Sequence, residues 1–425
     1  MTLIERSFRE RILLVGVVHH GERREAVEDS LAELAALVDT AGADVVDREL
    51  VRRDAVDPAT YVGSGKAAEL AERSEALDVD TVVFDDPLSP AQQRNLERIL
   101  GRTAIDRTAV ILDVFAQNAR SEEGRRQVEL ALLSYRLPRL RGRGVALSQQ
   151  VGRIGTRGPG ETKLEEDRRR IQARMAQLRR ELDQLARRRL VQRRARLASR
   201  QAQVALVGYT NVGKSALLRA LSGADVLVEN RLFATLDPRT RRVALPGGET
   251  ILVTDTVGFI RKLPHELIES FRSTLEQVAE ADLLLHVADA SSPDVAAQIA
   301  EVERTLAEIG ADRVPRLVVY NKVDLRPIDT LAAGVPEGVA ISAEHDIGLD
   351  DLRAAIAAAL DAMRRPRRYV VPAGRGDVLA LIHREGAVVR EEVDAERVLI
   401  DAVLDDASDR LVRRALGEAP PEPLG

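Results

Sequence analysis

The chain has 425 residues, a formal net charge of −5 at pH 7 and no cysteine, so disulfides and thiolate metal sites are excluded. A chain of this length suits about two to four domains. No stretch approaches the ~18 consecutive apolar residues of a membrane span, and the first ten residues lack the apolar segment of a signal peptide. We therefore expect a cytoplasmic protein without stable membrane insertion.

Strand and helix patterns alternate through the first part of the chain. The predicted strands cover residues 12–18, 44–49, 81–85 and 109–114. The predicted helices cover residues 24–40, 66–77 and 90–100. This alternation predicts an N-terminal, mostly parallel α/β domain over residues 1–118. Within it, Gly63-Ser64-Gly65-Lys66 lacks the upstream glycine of a phosphate loop, and we interpret it as a glycine turn that caps a helix.

Residues 119–200 predict an antiparallel helical hairpin. A helix at 121–137 and a helix at 161–200 flank a loop at 138–160, which is rich in Gly and Arg and has no acidic residue. The long helix carries apolar residues in a heptad pattern: Leu164, Ile171, Met175, Leu178, Leu182 and Leu185. That seam predicts packing of one helix along the other.

The hairpin region is strongly basic. Residues 136–200 contain 20 Lys or Arg against 6 Asp or Glu, a net charge of +14. This favours a polyanionic partner, and the alternative is a solvated helical face. The loop residues Arg153, Arg157 and Lys163 are the candidate contacts to ribonucleic acid, because small glycines beside them allow close approach to phosphates. The alternative for this loop is a flexible hairpin connection.

A phosphate-loop motif, G-x-x-x-x-G-K-[ST], follows between an apolar strand and a helix. Its residues are Gly208, Tyr209, Thr210, Asn211, Val212, Gly213, Lys214 and Ser215. The backbone N–H groups at such a helix start bind phosphate oxygens. We expect Lys214 to reach the terminal phosphates and the Ser215 hydroxyl to ligate Mg²⁺.

Three further motifs stand at strand ends in the order expected of a guanine-nucleotide switch. They are Asp255, Thr256, Val257 and Gly258; then Asn321, Lys322, Val323 and Asp324; then Ser342, Ala343 and Glu344. Asp255 is expected to hold Mg²⁺ through water, and the Gly258 amide to meet the γ-phosphate. Asp324 can accept two hydrogen bonds from guanine, which adenine cannot donate, and the third motif braces the base.

The first switch segment should lie before the strand at 240. We place it at Phe233, Ala234, Thr235, Leu236 and Asp237. Thr235 is the candidate for the second Mg²⁺ ligand, and Thr240 is a second candidate for the same role. The alternative interpretation is that Thr235 is an ordinary hydroxyl residue of a surface loop. Phe259 stands where many such switches carry a water-orienting Gln, so we name no catalytic base and predict slow hydrolysis that a partner stimulates.

These motifs belong to a predicted P-loop GTPase domain at residues 201–365. Its predicted strands are 203–207, 240–245, 250–254, 283–288, 316–320 and 338–341. Its predicted helices are 214–222, 265–280, 294–309 and 349–363. Residues 366–425 predict a small α+β domain of β-α-β-β-α order, with strands at 368–371, 387–391 and 397–403 and a disordered tail at 417–425.

The chain resembles the HflX family of ribosome-associated GTPases over nearly its whole length. The resemblance is carried by 61–66, 113–119, 155–165, 233–237 and 255–260. It implies binding to the large ribosomal subunit and to intact ribosomes, and separation of stalled ribosomes under stress. It also implies that the loop at 151–163 reaches toward the peptidyl transferase region and that Thr235 ligates Mg²⁺.

Two other functions remain open at this point. The chain could be a GTP-gated adaptor that binds a protein without contacting RNA, or a GTPase of membrane surfaces. The narrow heptad seam, poor in Phe and Trp, argues against the second. We expect a monomer that uses GTP as substrate and Mg²⁺ as cofactor.

Overall fold

The structure is a computed structural model. It describes residues 9–140, 159–197, 201–223, 232–233, 235–262, 277–326, 335–363, 367–394, 396–404 and 406–417, with side chains between 159 and 197 described only at 165–185. The chain divides into two compact units. The first takes in the described residues up to Ala244 together with Thr250–Leu349, and the second takes in Leu245–Glu249 and the described residues from Asp350 onward.

The first unit begins with a four-stranded parallel sheet in the order β2-β1-β3-β4. Its strands are β1 (Arg11–Val18), β2 (Asp44–Arg52), β3 (Thr81–Phe84) and β4 (Thr103–Asp106). Its helices are α1 (Arg24–Ala41), α2 (Ser64–Ala76), α3 (Pro90–Leu100) and α4 (Arg107–Asn118). β1 and β3 are almost wholly buried, as helices on both faces of a parallel sheet require. Gly63 is the N-cap of α2, in keeping with its interpretation as a helix-capping turn.

The prediction of a strand at 109–114 is wrong, because these residues lie within α4. The fourth strand ends just before them, and the Asp106 carboxylate caps the helix by accepting a hydrogen bond from the Ala109 N–H at 3.1 Å. Val110, Ile111 and Val114 are buried at the three- and four-residue spacing of a helix. A short run of β-branched residues fits both structures, and the cap selects the helix.

The two basic helices form the predicted antiparallel pair. They are α5 (Glu122–Arg139) and α6 (Pro159–Leu197). The seam consists of Leu130, Met175 and Leu178, with Leu133, Leu137, Ile171 and Leu182 packed against them. Arg174 pairs with Glu129 at 2.7 Å and Arg126 with Glu181 at 2.9 Å, so the two helices run in opposite directions. Residues 141–158 of the predicted loop lie outside the described residues.

The second sheet of this unit has six strands in the order β10-β9-β8-β5-β7-β6. All neighbours are parallel except β6 and β7. The strands are β5 (Gln203–Gly208), β6 (Arg239–Ala244), β7 (Thr250–Asp255), β8 (Leu283–Asp289), β9 (Arg316–Asn321) and β10 (Gly338–Ala340). Its described helices are α7 (Lys214–Ser222) and α8 (Val295–Glu308). Most of the predicted helix at 265–280 lies outside the described residues.

Apart from Leu245–Glu249, the second unit consists of residues from Asp350 onward, which lies in α9 (Leu349–Met363). It contains an antiparallel sheet in the order β11-β13-β12. Its elements are β11 (Arg367–Pro372), α10 (Gly376–Glu385), β12 (Ala387–Asp394), β13 (Arg397–Val403) and α11 (Asp406–Leu416). The predicted small α+β fold is confirmed, and residues 418–425 of the predicted tail lie outside the described residues. None of the helices described in the structure is long and apolar enough to cross a membrane.

Candidate functional site

A cavity of about 600 Å³ lies at the carboxyl ends of the six-stranded sheet, where ligands of open parallel sheets bind. The structure brings 15 predicted residues together in its walls. They are Thr210, Asn211, Gly213, Lys214, Ser215, Phe233, Thr235, Thr256, Gly258, Asn321, Lys322, Asp324, Ser342, Ala343 and Glu344. Four motifs far apart in the sequence therefore meet in one place.

The remaining predicted residues take other positions. Gly208, Tyr209, Val212, Leu236, Asp237, Asp255, Val257 and Val323 do not line the cavity, and Ala234 lies outside the described residues. Asp255 stands directly behind the wall through its bond to Ser215. Arg153 and Arg157 also lie outside the described residues, as does the side chain of Lys163.

The backbone of the phosphate loop needs glycine at its two ends. Gly208 has φ +150° and Gly213 has φ +95°. A Cβ atom on Gly213 would lie 2.3 Å from Asn321 Nδ2, and one on Gly208 would lie 2.2 Å from the Val287 carbonyl oxygen. Only a residue without a side chain fits either position, so the loop curls tightly between β5 and α7.

Lys214 begins α7 and is buried in the loop that precedes it. Its ammonium group donates to the carbonyl oxygens of Gly208 at 3.1 Å and Tyr209 at 2.7 Å. Burial lowers the pKa of Lys214 to about 8, although the carboxylate of Asp255 acts in the opposite direction. A buried cation with so few anionic neighbours is well suited to a phosphate.

Three oxygen-bearing side chains meet beside the start of α7. Ser215 Oγ donates to Asp255 Oδ2 at 2.6 Å and lies 2.8 Å from Thr235 Oγ1. Asp255 is fully buried, and its Oδ1 has no hydrogen-bond partner among the described residues. Burial raises the pKa of Asp255, and Lys214 opposes that rise. Hydroxyl and carboxylate oxygens are ligands of the type that Mg²⁺ prefers, so these residues fit that ion.

The opposite end of the cavity is organised by Asn321 and Lys322. Asn321 Nδ2 donates to the Val212 carbonyl at 2.8 Å, and its Oδ1 accepts from the Ala343 N–H at 3.0 Å. Lys322 Nζ donates to the Asn211 carbonyl at 3.0 Å and to Asp289 at 2.6 Å. These bonds tie the phosphate loop to the loops after β9 and β10. They leave the carboxylate of Asp324 on the cavity wall.

Phe259 is buried and lies outside the cavity wall. Its carbonyl accepts from the Thr210 N–H at 2.8 Å, and its own N–H donates to the Gly208 carbonyl at 3.0 Å. The backbone of this residue thus extends the sheet toward the phosphate loop. Its apolar ring offers no hydrogen bond to water, in agreement with the absence of a water-orienting side chain at this position.

Sequence reasoning missed four lining residues: Ala216, Arg219, Leu325 and His345. Ala216 and Arg219 follow the phosphate loop on α7, at the helical spacing that could have indicated them. His345 lies next to the predicted base-bracing motif, and its Nε2 is 3.6 Å from Asp324 Oδ2. No motif signal marks Leu325, which follows Asp324.

A phosphate loop between a parallel strand and a helix, with Asn-Lys-x-Asp at a neighbouring strand end, defines a P-loop GTPase. Three family models match in succession: "GTP-binding GTPase N-terminal" at residues 28–116, "GTP-binding GTPase Middle Region" at 118–196 and "50S ribosome-binding GTPase" at 203–322. The chain belongs to the HflX family of GTPases, and it is a GTP-hydrolysing enzyme.

Two relatives illustrate the match. The GTPase HflX of Caldanaerobacter subterraneus subsp. tengcongensis is 45% identical over 394 residues, covering 93% of this chain and 91% of the relative. The GTPase HflX of Escherichia coli is 40% identical over 374 residues, covering 87% and 88%. A solved GTP-binding protein from Sulfolobus solfataricus, in complex with GDP, aligns with a TM-score of 0.41 and 22% identity, covering 84% of this chain and 100% of that one.

Proposed function

We propose that the cavity binds GTP with Mg²⁺ and that the bound nucleotide controls attachment to the large ribosomal subunit, where the protein separates stalled ribosomes under stress. The observation that carries this proposal is the convergence of the phosphate loop, the Asp255 motif and the Asn321–Asp324 motif on one cavity. The ribosomal partner is supported by the family model "50S ribosome-binding GTPase", which matches residues 203–322.

The phosphates would lie against Lys214 and Thr210. Thr210 Oγ1 is buried without a hydrogen-bond partner among the described residues, and it faces a cavity where a phosphate oxygen would supply one. Ser215 and Thr235 would ligate Mg²⁺ directly, and Asp255 through water. When bound, Mg²⁺ neutralises charge on the β- and γ-phosphates. At the other end, Asp324 would accept the two guanine donors.

The γ-phosphate would be sensed at two positions. Thr235 would meet it through the metal site, and Gly258 would meet it through its backbone N–H. A Cβ atom on Gly258 would lie 2.9 Å from Lys214 Nζ and 2.9 Å from Thr210 Cα, so this backbone already approaches the phosphate loop closely. Loss of the γ-phosphate would release both segments.

Contact with ribosomal RNA is assigned to the basic hairpin. Along its described part, α6 exposes Arg169, Arg170, Arg179 and Arg180 to solvent. Arg153 and Arg157 belong to the part of the chain between the two helices, and Lys163 belongs to the first turns of α6. A basic arm of this kind binds RNA phosphates, and such binding weakens as salt rises because counterions are released.

Co-sedimentation with purified large subunits tests the proposal. We expect binding in the presence of a non-hydrolysable GTP analogue and at least tenfold weaker binding with GDP, a coupling typical of two-state switches. The triple variant R153A/R157A/K163A should bind more weakly. The slope of its log binding constant against log salt concentration should be smaller in magnitude by about two to three. Equal binding in both nucleotide states would reject the switch.

A matched control removes the same charge elsewhere. Arg384, Arg390 and Arg397 are exposed residues of the second unit, and R384A/R390A/R397A should leave binding and its salt dependence unchanged. If the hairpin triple variant keeps full affinity, the hairpin does not contact RNA, and the chain is better described as a GTP-gated protein adaptor.

A further inference from the structure

The segment that carries Thr235 is held by the α4–α5 junction on both sides of that residue. On one side, Asp237 accepts hydrogen bonds from the Arg120 N–H at 3.1 Å, the Ser121 N–H at 2.6 Å and the Ser121 hydroxyl. These donors lie 116 and 117 positions earlier in the chain. Asp237 itself does not line the nucleotide cavity.

The carboxylate of Asp237 sits at the start of an 18-residue helix. The first N–H groups of a helix have no partner within it, and its N-terminus favours an anion. Ser121 caps α5 by accepting from the Gly124 N–H at 2.8 Å, and the same hydroxyl donates to Asp237. The cap of α5 and the anchor of the switch segment are thus one hydrogen-bonded unit.

On the other side of Thr235, Phe233 is held by α4. Its ring packs edge-on against Phe115, with ring centroids 4.6 Å apart and an interplanar angle of 88°. Asn118 Nδ2 donates to the Phe233 carbonyl at 3.1 Å. Phe233 has φ +55°, a conformation that a bulky residue adopts only where its surroundings hold it.

Thr235 lies between these two anchors, and its Oγ1 is 2.8 Å from Ser215 Oγ. Space at the anchor is tight, because a Cβ atom on Gly124 would lie 2.5 Å from Asp237 Oδ1. The helix start and the carboxylate therefore occupy one fixed arrangement, and a displacement of Asp237 would be passed to Thr235 two residues away.

We propose that Asp237 is a positioning residue for GTP hydrolysis: by binding the start of α5, it holds Thr235 at the metal site. The inference rests on the proposed role of Thr235 as a Mg²⁺ ligand. It also links that role to α5, one helix of the basic hairpin, so the nucleotide state and the hairpin share a mechanical connection.

Two substitutions test this connection from its two sides. Asp237→Ala removes the carboxylate, whereas Gly124→Ala keeps the carboxylate but displaces it from the start of α5. Each should raise the Mg²⁺ concentration for half-maximal GTP hydrolysis by about tenfold, within the range known for residues that support metal ligands, and should lower kcat with little change in KM. GDP affinity in the absence of Mg²⁺ should stay within about twofold, because GDP does not use Thr235.

Gly65→Ala is the matched control for Gly124→Ala. Gly65 also lies in the first turn of a helix, but a Cβ atom there meets nothing within 4 Å. This variant should keep the Mg²⁺ dependence of the wild type. Asp237→Asn keeps one acceptor oxygen but loses the negative charge, so its Mg²⁺ dependence should fall between those of the wild type and Asp237→Ala.

The outcomes separate this inference from the proposed function. If Thr235→Ala shifts the Mg²⁺ dependence while D237A and G124A do not, Thr235 is a ligand and the positioning role of Asp237 is rejected. If Thr235→Ala has no effect, the proposed ligand is wrong and the inference falls with it. If D237A weakens GDP and GTP binding equally, Asp237 only supports folding, and the inference is also rejected.

Discussion

At the residue scale, the proposed selection of guanine depends on Asp324, which lines the cavity. Guanine presents an N–H and an amino group to a carboxylate, whereas xanthine presents an N–H and a carbonyl. An asparagine accepts one hydrogen bond and donates another, so Asp324→Asn should lose about 10²–10³-fold in GTP affinity and gain affinity for xanthosine triphosphate. Calorimetric titration of the variant with each nucleotide measures both changes in affinity.

The xanthine nucleotide serves as the internal control for folding. A D324N protein that binds xanthosine triphosphate tightly has an intact cavity. Its lower affinity for GTP is then caused by the changed hydrogen bonding to the base. A variant that binds GTP as well as the wild type does would show that Asp324 does not read the base.

A second residue-scale prediction concerns acid stability. His286 is buried in the middle of β8, and its Nδ1 has no hydrogen-bond partner among the described residues. Burial lowers the pKa of His286 to about 4, with contributions from Arg316 and Lys214. In the unfolded chain the pKa is about 6.5, so between these values the unfolded state binds a proton that the folded state does not.

Stability should therefore fall as the pH drops from about 6.5 to 4, by about 3 kcal/mol from this residue alone. In His286→Leu, the unfolding free energy should depend less steeply on pH, by up to the slope that one bound proton gives. Denaturant titrations at several pH values measure this slope. His20 is 87% exposed, so the control variant H20L removes a histidine without removing a buried one. An unaltered slope in H286L would show that the pKa of His286 is the same in the folded and unfolded states.

Most residues of the cavity could be predicted because each motif follows a strand of one parallel sheet, and the carboxyl ends of such strands meet at one edge. Asp237 could not be assigned in this way. Its neighbours in the sequence belong to the switch segment, but its hydrogen-bond donors belong to a helix start more than one hundred residues away. No local pattern encodes such a contact.

At the scale of elements, the hairpin depends on a narrow apolar seam. Leu178 is fully buried between α5 and α6, whereas the outer faces carry Arg. Leu178→Ala should destabilise the pairing of the helices by about 2–5 kcal/mol, the usual range for a buried leucine. Hydrogen exchange of the α5 amide groups should accelerate accordingly.

Gln172→Ala is the control on the same helix, since Gln172 lies six residues before Leu178 and is exposed. Its exchange rates should equal those of the wild type. If L178A exchanges at the wild-type rate, the seam does not hold the hairpin together.

Two helices, α6 and α4, show when a sequence pattern identifies a helix and when it does not. The heptad of α6 was recognisable because seven-residue repetition over a long stretch admits one structure. The run at 109–114 is too short for that, and its six residues suit a strand or a helix equally well. The deciding interaction is the Asp106 cap, which in turn depends on β4 ending at that residue.

At the scale of the molecule, a buried cluster of charges joins the N-terminal sheet to the phosphate-loop region. Arg107 is 2% exposed and pairs with Glu33 and with Asp85, the latter at 2.7 Å. Lys262 reaches Asp85 at 2.6 Å, and the Tyr209 hydroxyl donates to Glu33. Burial alone would raise the pKa of Asp85, but Arg107 and Lys262 outweigh it, and the pKa is lowered.

Replacing Arg107 by methionine leaves two carboxylates without their buried partner. R107M should destabilise the chain by about 3–5 kcal/mol, because an uncompensated buried charge costs more than the pair contributes. Arg24 pairs with Glu28 on the surface, and R24M should leave the unfolding free energy close to the wild-type value. Equal unfolding free energies for the two variants would show that the cluster is hydrated and does not join the two sheets.

The decisive measurement is the rate of GTP turnover as purified large ribosomal subunits are added. Phe259 cannot orient water, and a partner that completes such a site is worth about 10³–10⁵-fold in related enzymes. We predict slow turnover by the protein alone and a large, saturable increase with subunits. A rate that stays at its basal value when subunits are saturating would contradict the proposal that this cavity operates on the ribosome.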